Sequence, residues 1–273
     1  MILIDGKPDN CLDPSDRGLS YGDGLFETIE MDAGKPVLWQ RHIRRMKHGC
    51  NILGLACPPV DILMQECQQL AAATDKCIVK IILTRGSGGR GYRATNANLV
   101  RRIISSHAWP EFPSHYYSEG INLYACNTPV SVNTQLAGLK TLCRLEQVLA
   151  HAEWKEPEFA EGLMLDEHKN VIEGSKSNVF IIRGNVIATP LLDKAGIHGV
   201  VREVVMEIAQ RQGLSVSEEV ISHDSLQNAD EIFVCNSIIK IWPVKQYMGK
   251  QYALGKITRA LMVELERNIA NYE

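Results

Sequence analysis

Apolar residues recur along this chain with two periods, one suited to strands and one to helices. Ile2–Ile4 and Gly24–Met31 read as strands, the second leading through an Asp32-Ala33-Gly34-Lys35 turn into a short return strand to Trp39. Ile43, Met46, Cys50 and Leu53 then line up on one face of a helix. A second helix opens at Pro58-Pro59, where proline suits a first turn, and turns Val60, Leu63, Cys67 and Leu70 inward. Two apolar, β-branched strands follow, Cys77–Thr84 and Val100–His107. Trp109-Pro110-Glu111-Phe112-Pro113 suits neither a helix nor a central strand and marks a boundary. The expected division is residues 1–113 as a smaller N-terminal domain and 114–273 as a larger one, with the linker at about 109–120.

Beyond the boundary, the pattern predicts a strand at Ile121–Cys126 and a helix from about Thr141, burying Leu142, Leu145, Leu149 and Ala152. Strands are predicted at Gly162–Asp166, Asn178–Ile182, Val186–Thr189, Val216–Ile221 and Glu231–Cys235, with helices from Val200 and from Ile257. Strands and helices do not alternate as repeated βαβ units. The fold class is therefore α/β (α+β) in two domains, without a doubly wound sheet.

Composition narrows the function. The chain has 273 residues and a formal charge of −3, which argues against bulk electrostatic binding of nucleic acid or an anionic membrane. The longest strongly apolar stretch, Cys77–Leu83, is interrupted by Lys80 and falls well short of the roughly 20 residues of a membrane span. The start, Met1-Ile2-Leu3-Ile4-Asp5-Gly6, reads as strand and turn, so a cytoplasmic protein is expected. The eight cysteines lack zinc-site spacing and read as reduced thiols, and the eight histidines form no ligand pair, so no metal is expected.

Gly86, Gly88 and Gly91 of RGSGGRGY mimic a dinucleotide fingerprint, with Glu111 in the place of its acid. That fingerprint must open a helix, and Arg85–Leu99 has no helical period. The loop is instead cationic. Arg85, Arg90 and Arg93 sit among glycines that let backbone N–H groups approach an anion, so it is either a solvated hairpin or a carboxylate-binding loop.

Two lysines could attack a carbonyl. Lys140 stands between a loop and an apolar helix, and Lys80 lies in an apolar strand from which it could equally snorkel to water. His198-Gly199-Val200-Val201-Arg202-Glu203 places open N–H groups at a helix start, suited to phosphate. Asn236-Ser237 forms a polar pair at a strand end, Glu173 precedes a Gly174-Ser175-Lys176-Ser177 turn, and Arg45 lies off the apolar face of the first helix. A lysine, a glutamate and a phosphate cradle are together the parts required by a pyridoxal phosphate enzyme, in which an acid keeps the ring nitrogen protonated.

Eight stretches carry a resemblance in order along the chain: SDRGLSYGDGLFET at 15–28, HIRRM at 42–46, RGSGGRGY at 85–92, AGLKTLCRLEQVL at 137–149, EGLMLD at 161–166, EGSKSNVF at 173–180, TPLLDKAGIHGVVR at 189–202 and ADEIFVCNS at 229–237. They resemble the fold-type-IV pyridoxal phosphate enzymes, the group of branched-chain and D-amino acid aminotransferases and aminodeoxychorismate lyases. RGSGGRGY, LKTLCRLEQVL and Thr28, where the branched-chain enzymes typically have glycine, most resemble the lyase branch. Thr141 and Cys143 depart from its usual His and Asn.

The resemblance implies a two-domain D-amino acid aminotransferase-like architecture, a pyridoxal 5'-phosphate cofactor, a small-molecule substrate and a homodimer. It implies loss of pyruvate from aminodeoxychorismate, with amino transfer as the alternative. By the same carry-over Lys140 is the Schiff-base lysine, Glu173 the partner of the pyridine nitrogen and Arg45 the phosphate arginine. Val200 and Val201 would give backbone donors to the phosphate, with Ser237 and Asn236 as its last contact. Thr28 would relay a proton, and Arg90, with Arg85 and Tyr92 beside it, would bind substrate carboxylate.

Overall fold

Alternating apolar positions build the first of two units into which the chain divides in a computed structural model that describes residues 1–88, 91–94 and 100–270. That unit comprises Met1–Pro110 together with Leu139–Cys143. Its elements are β1 (Ile2–Ile4), β2 (Lys7–Pro8), α1 (Arg17–Tyr21), β3 (Gly24–Asp32), β4 (Lys35–Pro36), α2 (Trp39–Leu53), α3 (Val60–Ala71), β5 (Lys76–Thr84) and β6 (Arg101–Ala108). The sheet runs β2-β1-β6-β5-β3-β4, antiparallel throughout. Leu25, Ile29 and Met31 of β3 and Cys77, Val79, Ile81 and Leu83 of β5 point to one face. There they pack on Ile43, Met46 and Cys50 of α2 and Leu63, Cys67 and Leu70 of α3. Each fully buried aliphatic side chain contributes about 1.5–3 kcal/mol.

The return strand expected to reach Trp39 ends at Pro36. Leu38 takes a left-handed φ of 55° and its carbonyl accepts from the N–H groups of Arg41 (3.0 Å) and His42 (3.2 Å), so Trp39 is already helical.

The second unit, Glu111–Gly138 with Arg144–Glu273, holds a mixed sheet. In chain order it contains α4 (His115–Ser118), β7 (Ile121–Ala125), α5 (Leu145–His151), β8 (Phe159–Leu165), β9 (Asn170–Gly174), β10 (Asn178–Arg183), β11 (Val186–Pro190), α6 (Val200–Arg211), β12 (Ser215–Glu219), β13 (Ile221–Ser222), α7 (His223–Gln227), β14 (Glu231–Asn236), β15 (Lys240–Tyr247), β16 (Lys250–Gln251) and α8 (Lys256–Ala270). The order is β12-β11-β10-β14-β15-β7-β8-β9-β13, with β16 on β15. Among the described residues no helix is long and apolar enough to cross a membrane.

Three differences from the sequence pattern have physical causes. The strand expected at Val216–Ile221 is split, because β12 pairs with β11 while β13 pairs with β9, leaving Val220 exposed between them. The pattern gave no signal for β15, a central strand that contains Pro243. Proline lacks a ladder donor, and here it precedes the register shift between Val244 and Gln246 against β7. The helix expected from Thr141 begins only at Leu145, and its Leu145 and Leu149 are 77% and 59% exposed rather than buried. The backbone ahead of it is already engaged in the first unit, as the site shows.

Candidate active site

In the first unit, the segment carrying Lys140 lies against the start of β3. Phe26 N–H donates to the Lys140 carbonyl (3.0 Å), Leu142 N–H donates to the Gly24 carbonyl (3.1 Å), and Thr141 bridges Leu25. These bonds hold residues 140–142 against β3 and explain the late helix start. They also place the Lys140 ammonium 4.3 Å from the centre of the Phe26 ring, a favourable cation–π position. Thr28 follows Phe26 on the same face of β3, half-buried, as period-two alternation requires.

Glu27, between them, faces the other way and is buried. Its Oε2 accepts from His42 Nδ1 (2.7 Å), and Arg45 donates to Oε1 through Nε (2.8 Å) and to Oε2 through Nη2. Burial pushes the carboxyl up, but Arg45 and His42 outweigh it and hold the pKa at about 2. Burial in turn lowers His42, only partly offset by Glu27, and the charges of Arg45 and Lys140 lower it further. With Glu27 ionised, His42 Nδ1 must carry the donated proton. Arg45, as a lone residue off the apolar face, would be surface charge, yet its side chain is 12% exposed and held bidentate by Glu27. Neither Glu27 nor His42 was found from sequence. The available signal was an acid at an inward position of an apolar strand, together with His42 and Arg45 one helical turn apart.

SDRGLSYGDG anchors the arginine loop. Asp16 caps α1 at Gly18 N–H (2.8 Å) and accepts from Thr84 Oγ1 (2.8 Å). Asp23 accepts from both Arg17 Nε (2.9 Å) and Arg85 Nε (2.8 Å). The remaining Arg85 donors go to Asp23 and to the carbonyls of Leu53 and Gly54 at the end of α2, so this residue ties down the loop's base. Arg17 also holds the Gly91 and Tyr92 carbonyls, each at 2.9 Å, while the Tyr92 side chain is 89% exposed and meets Tyr21 edge-on. Arg90 lies outside the described residues.

In the second unit, Glu173 is the next-to-last residue of β9 at 3% exposure, accepting at Oε2 from the Ile197 N–H (2.8 Å) and at Oε1 from Gln147 Nε2 (3.4 Å). Its turn is held from beneath by buried Glu161, which accepts from Ser175 Oγ (2.5 Å), Ser177 Oγ (2.8 Å) and the Gly162 N–H (2.9 Å). Ile197 is fixed in turn, its carbonyl accepting from Asn178 Nδ2 (2.8 Å). A side chain at Gly199 would place its Cβ 1.8 Å from Asn178 Oδ1, so glycine is required where the chain enters α6. Gly199 offers no capping side chain, and the first N–H groups of α6, at Val200 and Val201, lack intrahelical acceptors. Asn236 spends its side chain on the Lys176 carbonyl (2.9 Å) and on the N–H groups of Ile238 and Ile239 (2.8 and 2.9 Å), which shapes the turn at Ser237.

These groups fit pyridoxal phosphate. The first unit offers a lysine set on an aromatic face, and the second offers a buried acid held by a backbone donor and an uncapped helix start that glycine leaves open to an anion.

The two-sheet fold is that of the fold-type-IV enzymes, and the chain belongs to the family described as Amino-transferase class IV, whose model matches residues 24–247. It is 32% identical over 272 residues to an aminodeoxychorismate lyase of Vibrio harveyi, covering 97% of this chain and 99% of that one. Its structure is similar to that of 4-amino-4-deoxychorismate lyase from Pseudomonas aeruginosa, with a TM-score of 0.95 and 40% identity over 98% of this chain and 99% of that one. The fold is shared with a T.th. branched-chain amino acid aminotransferase complexed with N-(5'-phosphopyridoxyl)-L-glutamate, at a TM-score of 0.86 and 20% identity over 100% of this chain and 94% of that one.

Proposed function

We propose that this chain is a pyridoxal phosphate-dependent lyase, acting as a cytoplasmic homodimer, that removes pyruvate from 4-amino-4-deoxychorismate to leave 4-aminobenzoate for folate synthesis. The observation that carries the reading is Lys140, pinned by backbone bonds to the strand that bears Phe26 and Thr28, in a chain similar along its whole length to lyases of that name.

When bound, the cofactor would supply an aldehyde suited to the substrate amine and a ring able to delocalise negative charge. Lys140 holds the cofactor until substrate arrives, and its Nζ then takes the proton from the amine-bearing ring carbon. The ether bond at the neighbouring ring carbon breaks, the ring becomes aromatic, and the released enolpyruvate gains a proton at its methylene carbon. One proton leaves the ring and one arrives at pyruvate, so the reaction needs no co-reactant. Thr28 Oγ1 delivers or relays that second proton.

In the second unit Glu173 keeps the ring nitrogen protonated, and the N–H groups of Val200 and Val201, with Ser237, take the phosphate. Arg45, oriented by Glu27, adds a cation to the phosphate. Arg90 binds substrate carboxylate.

Holoenzyme supplied with aminodeoxychorismate generated in situ is expected to release 4-aminobenzoate and pyruvate in equal amounts. Sustained amino transfer from a D-amino acid to a 2-oxo acid, faster than lyase turnover, would instead make it an aminotransferase, the alternative kept because Thr141 and Cys143 depart from the lyase pattern. Thr28→Val is expected to lower lyase turnover by about 10²-fold while leaving cofactor loading intact. An unchanged kcat would remove the proton relay and leave Thr28 as a packing residue. Glu173→Gln keeps an acceptor for the Ile197 N–H but removes the charge. Its kcat should fall by about 10²–10³-fold, and wild-type turnover would reduce Glu173 to a turn residue.

A further inference from the structure

Alternation along β5 sends Cys77, Val79, Ile81 and Leu83 into the core and Ile78, Lys80 and Ile82 to the opposite face of the sheet. Lys80 is half-buried there, directly across from Thr28 of β3 and from Ser105 of β6. Its ammonium lies 5.1 Å from the centre of the Phe26 ring, the same ring on which Lys140 sits at 4.3 Å. Two lysines from different parts of the chain therefore share one aromatic ring. The acid nearby on this face is already taken, since Glu30 pairs with Lys76 at 2.7 Å. Among the described residues Lys80 has no carboxylate within ion-pair distance. A half-buried cation without an anion leaves a charge for a ligand to satisfy.

We propose that Lys80 binds the enolpyruvyl carboxylate of the substrate and thereby selects a dicarboxylate over simple amino acids. The inference rests on the lyase reading above. Thr28 serves the methylene carbon of the enolpyruvyl group, and the carboxylate is two bonds from that carbon. Directly opposed residues on adjacent strands have Cβ atoms about 4.5–5.5 Å apart, so the Thr28–Lys80 pair spans one enolpyruvyl unit. The ring carboxylate is left to the arginine loop.

The test compares wild-type holoenzyme with Lys80→Met, which keeps length and removes charge, and Lys80→Arg, which keeps charge. Lys80→Gln serves as a second neutral variant, and thermal melts and the visible spectrum of the loaded enzyme control for folding and cofactor binding. Both neutral variants should raise KM for aminodeoxychorismate by about 10–100-fold, the equivalent of one charge-assisted hydrogen bond, with kcat changed less than KM. Lys80→Arg should restore most of the loss. Product inhibition by pyruvate should weaken in the neutral variants while inhibition by 4-aminobenzoate stays unchanged. An unchanged KM in a loaded neutral variant would overturn the proposal, as would weakened inhibition by 4-aminobenzoate alone. If wild type itself releases no 4-aminobenzoate, the lyase reading fails first, and this inference with it.

Discussion

Lys140→Ala is expected to lose at least about 10⁴-fold in 4-aminobenzoate formation, because one substitution removes both the covalent anchor and the proton acceptor. The visible band of lysine-bound cofactor and its trapping by borohydride should disappear together. The fold should survive, since the bonds that hold the segment to β3 use the backbone of Lys140 and Leu142 and not the side chain. A loaded, borohydride-reducible Lys140→Ala protein would show that another lysine carries the cofactor. Lys80, on the same ring, is the residue to change next. Thr28→Val, affecting one proton transfer, should cost far less than Lys140→Ala, and equal losses would rule out the relay.

Glu27→Ala is expected to be the most damaging substitution for stability, at about 3–5 kcal/mol, because it strands a largely buried guanidinium and a buried imidazole. Glu27→Gln should cost less, as its amide oxygen still accepts from one partner. The same carboxylate has a pH signature. Its ordinary value of 4.5 is lowered to about 2 in the folded chain, so its stabilisation is complete above about pH 4.5 and is lost as pH falls towards 2. That difference is worth about 3 kcal/mol. Thermal melts from pH 7 down to pH 2 should therefore show a steeper loss in wild type than in Glu27→Gln. Parallel curves would mean that the pair contributes little. Because Arg45 is oriented by Glu27, cofactor affinity should fall in Glu27→Gln as well, a change that a purely structural pair would not produce.

Legibility varied with how local the signal was. The alternation in β5 and the helical spacing in α2 and α3 lie within short windows, and these elements formed where the pattern placed them. β15 escaped because Pro243 argues against a central strand, and only pairing with β14 on one side and a register shift against β7 on the other accommodates it. The helix signal around Thr141 was a true amphipathic spacing overridden by backbone bonds to β3. Asp23 shows the same limit at the site, since nothing near it in sequence reveals that it gathers Arg17 and Arg85 at the base of one loop.

By itself, the sequence determined the α/β class, the main strands and helices, and a set of ordered motifs that included Lys140, Glu173 and the glycine-entered helix at Val200. Those properties are written in residue type and short-range spacing, where side-chain volume and backbone preference act directly. Only the tertiary structure decided that Glu27 is the buried counter-ion of Arg45, that Lys140 is bonded to β3, and that Lys80 shares its ring with no acid partner among the described residues. Such facts depend on strand register and on which face an element turns inward. A one-residue slip of β3 would turn Glu27 to the opposite face of the sheet, and a one-residue slip of β5 would turn Lys80 into the core.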